Sequence, residues 1–577
     1  MVLPSPPDNA PSLILIEGGL TTIVIAISFC FPKLGSASFS RIERAFRKLA
    51  RRKALSVAIV GFTAFFLRLV LLPLCPIPLP FVPDDFSFLL AADTFASGRL
   101  TNPTPAMWPN LESIHVTMQP TYMSMYFPAQ GLVLAAGKVL TGHPWFGNLV
   151  VTALMCASIC WMLQAWLPPA WALLGGMLAI LRLGLFSYWI NTYFGAGSIV
   201  ALGGALVLGG LPRFMKHGRF RDALWMAIGV VLLMISRPYD GLLLGVPVAC
   251  FVIWWMFFGK NRPAPAVLFR RIAAPLALIV AGAAWMAYYD YRLYGDPLTP
   301  SYSVNRAQYA MAPYFVWQSK RPEPAYKHSV IRDFYYLDEL DSFNKIHSLS
   351  GFVPQTILKA VRGILFYSGI VLLVPLIMVR RVFIDRRLRF LILCVFVIVA
   401  GQLVEIFLIP HYLAPLTAGF YAIGLQAMRH LRFWTPGGEP VGITLQRLLL
   451  TLCVFLAVLR AAAEPLHLAI PIWPSAGAAE WYGPGISGTE RAKIESDLEH
   501  LSGKQLAIVR YAPGHNPLDE WVYNAADIDN SKVVWAWDMD DSNNQKLIRY
   551  YKDRTVWLIE PDAMPASVSR YIMPAAQ

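Results

Sequence analysis

Charge is what this 577-residue chain has least of. Only 15% of its residues are Asp, Glu, Lys or Arg, against 56% hydrophobic ones, and the mean hydropathy is +0.49. Soluble globular chains carry about a quarter charged residues. A soluble enzyme, even one with a single anchor, is therefore excluded. Cysteine is scarce and unpatterned. Cys30, Cys75, Cys156, Cys160, Cys250, Cys394 and Cys453 lie in or beside apolar runs, without metal-ligand spacing to histidine. That spacing implies neither a disulfide framework nor a zinc site. The soluble-like region from about 476 has no Gly-rich phosphate loop, so no nucleotide is assigned to it. The first apolar run lacks the basic flank of a cleavable signal peptide. The net charge of +14 sits in short loops between apolar runs. That is the positive-inside pattern of a membrane protein and not a nucleic-acid footprint.

What the chain has instead is apolar length. A helix needs roughly 20 apolar residues to cross a bilayer, with about 17 tolerated. By that measure twelve spans are expected, near 13–32, 54–75, 146–166, 170–187, 195–211, 223–238, 240–258, 272–291, 363–380, 389–408, 412–428 and 447–463. Basic clusters fall at 33–53, 213–221, 260–271 and 380–389, and at Arg429, Arg432 and Arg447. Twelve spans put all five clusters on one side, read as cytoplasmic. The other side then receives the long segments 76–145 and 292–360 and everything from 464 onward.

Those external pieces have their own character. In 76–145, residues 85–97 and 128–140 read as helices, the second lying in the membrane interface. Residues 292–360 are dense in Tyr, Phe, Trp and Pro far beyond a helix end, which fits a lid over a cleft. From about 476 the chain becomes soluble-like. Helices at 490–501 and 542–551 alternate with strands at 505–511, 533–537 and 555–559, the pattern of a small α/β domain with an open sheet. Asp538, Asp540 and Asp541 follow a strand, either as a helix cap or as cation ligands, with the cap favoured. The resulting domains are 1–53, an added first helix with a basic loop; 54–463, the membrane body with its two external loops; and 464–577, the external α/β domain.

Candidate functional residues cluster on that external side. Pro83-Asp84-Asp85-Phe86 follows the second span, where two carboxylates either cap a helix beginning at Phe86 or serve chemistry at the membrane edge. His115, in a Pro-rich stretch, is a ligand, a base or a hydrogen-bonded loop residue. In Ser236-Arg237-Pro238-Tyr239-Asp240 a lone arginine ends a helix. Its planar guanidinium matches phosphate oxygens, while a salt bridge with Asp240 or a reach to lipid headgroups is the plainer alternative. His411 and Tyr412, and more weakly Asn191 and Tyr193, sit at other helix ends as phosphate donors or interfacial anchors.

In order and sidedness these motifs resemble the glycosyltransferase C superfamily, the multi-spanning transferases that use lipid-phosphate-linked sugars. Protein O-mannosyltransferases and lipid A aminoarabinose transferases are the nearest likeness. It is carried by Pro83-Asp84-Asp85, by Tyr126-Phe127-Pro128 at the entry to an interfacial helix, and by Ser236-Arg237-Pro238-Tyr239. The first helix and the C-terminal domain depart from the simplest family plan. The resemblance implies a polytopic α-helical fold and sugar transfer from a polyprenyl-phosphate donor to a lipid, glycan or protein acceptor. It implies Asp84 as general base, with Asp85 orienting the acceptor or a divalent cation, and no further cofactor. Substrate binding is expected from Arg237, Tyr239, Asp240, His411, Tyr412, His115, Asn191 and Tyr193. A bacterial inner membrane with the site facing the periplasm is the expected setting. Competing readings are transfer of a preassembled glycan and a lipid-linked sugar transporter. The second is disfavoured because no internal repeat is evident and the ionisable residues gather at one face.

Overall fold

In hydrocarbon every backbone N–H and C=O must be satisfied within its own segment, so apolar runs fold as helices. The computed structural model describes residues 11–259, 262–470 and 480–572. Among these, seven helices are long and apolar enough to cross a membrane: Leu13–Cys30, Lys53–Val70, Trp145–Trp166, Gly197–His217, Pro238–Phe258, Pro265–Tyr294 and Val441–Ala461. A bent pair, 350–368 and 371–384, turns through 102° and brings the number to eight if it counts as one span. The remaining expected spans are helical but shorter or interrupted. The run at 170–187 is helical over Pro169–Ala179 and widens into a π-turn over Ile180–Gly184. Those at 223–238 and 389–408 become Phe220–Ser236 and Arg389–Leu403. That at 412–428 begins as a tight turn over Pro410–Leu416, with prolines at both 410 and 415, before Thr417–Leu431. Hydropathy registers apolar length but not the prolines and bends that cut a run into pieces.

The basic clusters meet one another. The helix Ser36–Ala50 brings Glu43 to Arg432 at 2.7 Å and to Arg447 at 2.9 Å. Gln426 donates to Asp385 at 2.7 Å, and the Arg271 guanidinium lies against Gly218. One end of the helix bundle therefore carries these loops, and the long segments 76–145 and 292–360 extend from the other.

At that second end the chain builds two sheets. The first lies in the segment after the second span. β1 (Asn102–Pro103) and β2 (Val116–Thr117) flank β3 (Thr121–Ser124), all antiparallel. The helices Pro83–Ala96 and Pro128–Thr141 bracket this sheet. The second belongs to the C-terminal domain, whose strands are β4 (Lys504–Val509), β5 (Val533–Trp537), β6 (Arg554–Glu560) and β7 (Ser567–Arg570), in the order β5-β4-β6-β7. β4 runs parallel to both neighbours, and β7 closes the edge antiparallel to β6. The helices Thr489–His500 and Asp541–Tyr550 supply the α layer. Asp540 caps the second through the Asn543 N–H at 3.0 Å, and Asp538 pairs with Arg510 at 2.5 Å.

The domain is seated on the membrane body. Arg491 lies between the rings of Phe86 and Trp535, at 4.7 and 4.6 Å, and Tyr122 donates to the Asn524 carbonyl at 2.6 Å. The first helix is held by segments 370–371 and 481–482, and Arg182 stands 3.7 Å from its Glu17. That fully buried carboxyl accepts from the Ile370 N–H at 2.8 Å, the Val371 N–H at 3.0 Å, the Trp481 indole at 3.2 Å and the Tyr482 hydroxyl at 2.7 Å.

Candidate functional site

The site begins at the helix Pro83–Ala96. Val82 is extended, Pro83 takes the first helical position, and both aspartates fall in the first turn. Proline is pre-shaped for that place, and acids favour the positive end of the helix dipole. Asp84 and Asp85 thus occupy the opening turn of a helix that starts earlier than Phe86. Successive residues on a helix point about 100° apart, so the two carboxylates part company. Asp85 turns inward, where it accepts the Tyr193 N–H at 2.8 Å and the Phe81 N–H at 3.3 Å. Burial pushes its carboxyl up to about 7, against the pull of those two N–H groups and with help from the Asp84 charge. Asp84 turns outward and keeps 24% of its side-chain surface open.

Asp84 is gripped by two side chains that arrive from elsewhere. Tyr126 donates a short hydrogen bond to Oδ1. His115 Nδ1 stands 3.0 Å from the Tyr126 oxygen and 3.5 Å from Asp84 Oδ2. Burial alone would raise this carboxyl, but the charge and hydrogen bond of His115 and the hydrogen bond of Tyr126 outweigh it and hold Asp84 below the usual carboxylate range. Burial and the neighbouring carboxylate push the Tyr126 phenol far above its ordinary value, so it stays a donor. Phe88 stacks on the Tyr126 ring at 4.4 Å, and Tyr302 meets it edge-on at 5.5 Å.

Across the cavity stands Arg237, in the break between Phe220–Ser236 and Pro238–Phe258. A residue before proline avoids the helical region, and here φ is −147° and ψ 81°. The guanidinium is paired with Asp240 and lies 3.8 Å over the Tyr412 ring. Gln402 completes the Asp240 shell at 2.7 Å. His411 sits beside them, its Nδ1 2.8 Å from the Tyr188 hydroxyl. Asp84, His115, Tyr126, Arg237, His411 and Tyr412 all line one cavity of about 360 Å³.

The segment 292–360 closes over this space. Tyr302, Arg306, Tyr314, Phe334 and Glu339 line it from above. Glu339 holds Arg306 at 2.6 and 2.7 Å. The helix Leu349–Ser368 forms a further wall with Leu358, Lys359 and Arg362. Its outer face is apolar and exposed, with Val353 at 54%, Ile357 at 58% and Ile364 at 48%. Leu358 both lines the cavity and is 41% exposed, so the cavity wall is at the same time part of an exposed apolar surface.

Four sequence-expected binding residues lie behind the wall instead of on it. Tyr239 donates to the Gly401 carbonyl at 2.9 Å and packs on Phe315. Asp240 is 1% exposed and serves Arg237. Asn191 holds Arg68 at 2.8 Å, and the Tyr193 hydroxyl donates to the Pro78 carbonyl at 2.9 Å. None of the four lines the cavity. Asp85 is displaced from its expected role as well. It does not line the cavity, and each of its oxygens accepts a backbone N–H, from Tyr193 and Phe81. Among the described residues no three His, Cys, Asp or Glu side chains converge on a metal position. The sequence reading missed Arg306, Lys359 and Arg362, and it treated Tyr126 only as a helix entry. Lys359 and Arg362, three apart at the edge of an apolar run, were the available signal.

The chain is similar to solved membrane transferases. ArnT from Cupriavidus metallidurans bound to undecaprenyl phosphate aligns over 90% of this chain and 95% of its own, at 14% identity and a TM-score of 0.47. The oligosaccharyltransferase of Archaeoglobus fulgidus tethered to an acceptor peptide aligns over 88% of this chain and 68% of its own, at 9% identity and a TM-score of 0.46. No family model and no curated protein sequence matches the chain. The chemistry of the cavity follows from its own geometry.

Proposed function

We propose that this protein is a membrane glycosyltransferase that moves a sugar from a polyprenyl-phosphate donor to an acceptor on the external, periplasmic face of a bacterial inner membrane. The observation that carries this is the pairing of a held carboxylate, kept below the usual carboxylate range, and a held guanidinium in one cavity whose wall is a helix with an exposed apolar face. A donor with a sugar phosphate head and a hydrocarbon tail suits that arrangement. Its head lies among Asp84, Arg237 and His411, and its tail leaves past Leu358 into the bilayer.

In this reaction the acceptor hydroxyl gives its proton to Asp84 while its oxygen bonds to the anomeric carbon. The bond from that carbon to the phosphate oxygen breaks, and the electron pair stays on the phosphate. General-base assistance of this kind contributes roughly 10²–10⁴-fold. Attack opposite the departing phosphate inverts the anomeric centre. Arg237 offsets the developing phosphate charge, and Asp240 and Tyr412 fix its plane, so no reorganisation is needed as charge appears. The aromatic lid, with Tyr302, Tyr314 and Phe334, offers faces for the sugar and excludes water.

The test is a transfer assay with purified protein and a panel of polyprenyl-phosphate sugars, following donor loss and released lipid phosphate with cell-envelope acceptor. Wild type is expected to consume one donor, and Asp84→Asn to lose about 10²–10⁴-fold in rate. Equal rates would remove Asp84 as the base. Turnover only with lipid-diphosphate oligosaccharides would replace single-sugar transfer by transfer of a preassembled glycan.

A further inference from the structure

His115 is an unusual residue to find beside a candidate base. Its φ is +61°, a left-handed conformation for a residue with a side chain. Such backbone persists only when its surroundings over-determine it. The 292–360 segment holds the Glu112 carboxyl, with the Tyr309 hydroxyl donating at 2.9 Å and His328 at 3.4 Å, and the C-terminal domain holds the rest of the approach. The Trp537 indole, at the end of β5, donates to the Glu112 carbonyl at 2.6 Å. Ser113 Oγ donates to the Glu520 carboxyl at 3.4 Å, and the Ile114 N–H faces the same group. The Ile114 side chain is buried in a cluster with Val509, Trp521 and Trp535. Three consecutive residues are thus gripped by the domain, and the fourth is His115. Beyond it the membrane body takes over, with Ser87 Oγ at 2.7 Å and the Met125 N–H at 3.1 Å on the His115 carbonyl.

Glu520 holds the other side of the site too. Its N–H donates to the Phe81 carbonyl at 3.2 Å, and Phe81 is the residue whose N–H caps Asp85. One residue of the C-terminal domain therefore touches both segments that deliver the Asp84–His115 pair.

We infer that the C-terminal domain is a working part of the catalytic site, in which Glu520 and Trp537 are positioning residues that brace 112–115 so that His115 reaches Tyr126 and Asp84. The assignment of a catalytic task to that pair rests on the glycosyltransferase reading; the brace itself does not. Glu520 is suited to a neutral, hydrogen-bonding post, because burial pushes its carboxyl up to about 8 against the pull of the Ile114 and Val522 N–H groups and Arg491. Gln at this position keeps the acceptor. The groups around His115 are Asp84 and Tyr126 at its ring, Phe334 edge-on at 5.1 Å, Tyr335 and Ser87 at its backbone, and Glu112 and Glu520 along its approach.

The full-length protein, labelled with ¹⁵N-histidine in nanodiscs, supplies the test. The His115 ring signals are identified by their loss in His115→Asn. They should move on Asp84→Asn in the wild-type background. In Glu520→Ala and in Trp537→Phe they should shift from the wild-type position and stop responding to Asp84→Asn, whereas Glu520→Gln should leave them in place. Unchanged His115 signals in Glu520→Ala overturn the brace, and so does an equal shift in Glu520→Gln. With the donor identified, Glu520→Ala should lose up to about a hundredfold in rate, the scale of a misplaced catalytic group. It should also raise the acidic limb of the pH profile, because Asp84 then loses a partner that favours its ionised form. The same loss should appear in His115→Asn, and the double variant should lose no more. Losses that multiply, with an unmoved acidic limb, would mean that the domain acts only on stability. If wild type consumes no donor, the glycosyltransferase reading fails while the ring signals still decide the brace.

Discussion

Asp84 and Asp85 are neighbours in sequence and opposites in environment. Asp84 looks into the cavity and is held ionised, whereas Asp85 is buried under backbone donors with its carboxyl near 7. The consequence of the second can be signed. An unfolded aspartate ionises near 3.9. Between about pH 4 and pH 7 the native state therefore holds a proton that the unfolded state has released, so stability falls as pH rises through that window and is flat above it. A gap of about three units corresponds to roughly 4 kcal/mol at most. Asp85→Asn removes this slope. In melting curves recorded in detergent from pH 4 to 8, the variant should gain on wild type as pH rises and level off above pH 7. Curves that stay parallel would show that Asp85 titrates as it does in the unfolded chain. The sequence displayed the pair but not its division of labour, because the direction of each carboxylate depends on where the helix starts. The same limit hid Tyr126. Its contact with Asp84 spans 42 residues, and the small sheet β1-β3-β2 between them, with the packing of the two flanking helices, brings the two together.

Helix existence was legible in the apolar runs, and the alternating pattern after 476 disclosed the three parallel strands at nearly their final bounds. β7 and the small sheet were not legible, being strands of two to four residues with no alternation to read. Breaks inside runs were also invisible, although the break at Arg237-Pro238 carries a site residue. Close approach between elements is where sequence gives least and structure most. The helix bearing Asp84 packs on Pro128–Thr141 at Gly131, where an added Cβ would come within 2.6 Å of the Ala91 Cβ and 3.0 Å of the Phe95 ring. Small residues let membrane-protein helices approach in this way. Overpacking of such a contact costs about 1–3 kcal/mol. If Asp84 is the base we propose, Gly131→Val should therefore lower the melting temperature and the transfer rate together, since the helix that moves carries Asp84. A lowered melting temperature with an unaltered rate would separate this contact from the site.

For the molecule as a whole, charge sets the frame. The clusters at 33–53, 429–447 and 380–389 lie far apart in sequence, and Glu43 and Asp385 draw their neighbourhoods together at one end. We place the C-terminal domain at the opposite, external end. Cysteines introduced at exposed positions in intact cells test this. Ser569→Cys, on β7, should react with a membrane-impermeant thiol reagent directly, and Arg44→Cys only after permeabilisation. The reverse pattern would invert the topology, and labelling of both from outside would mean the span count is wrong.

Glu17 has a consequence in time. It precedes all of its partners in the chain: two of its four hydrogen-bond donors belong to Trp481 and Tyr482 and the other two to Ile370 and Val371, and Arg182 stands 3.7 Å away. Until residue 482 has been made, the nascent chain carries this carboxyl with Arg182 at most beside it and without the full set of donors, an expensive state for an acid in a bilayer. The seating of the first helix is therefore provisional until Tyr482 is in place. A chain stalled or cleaved before residue 481 is left with a mark in its first span that membrane quality control can read.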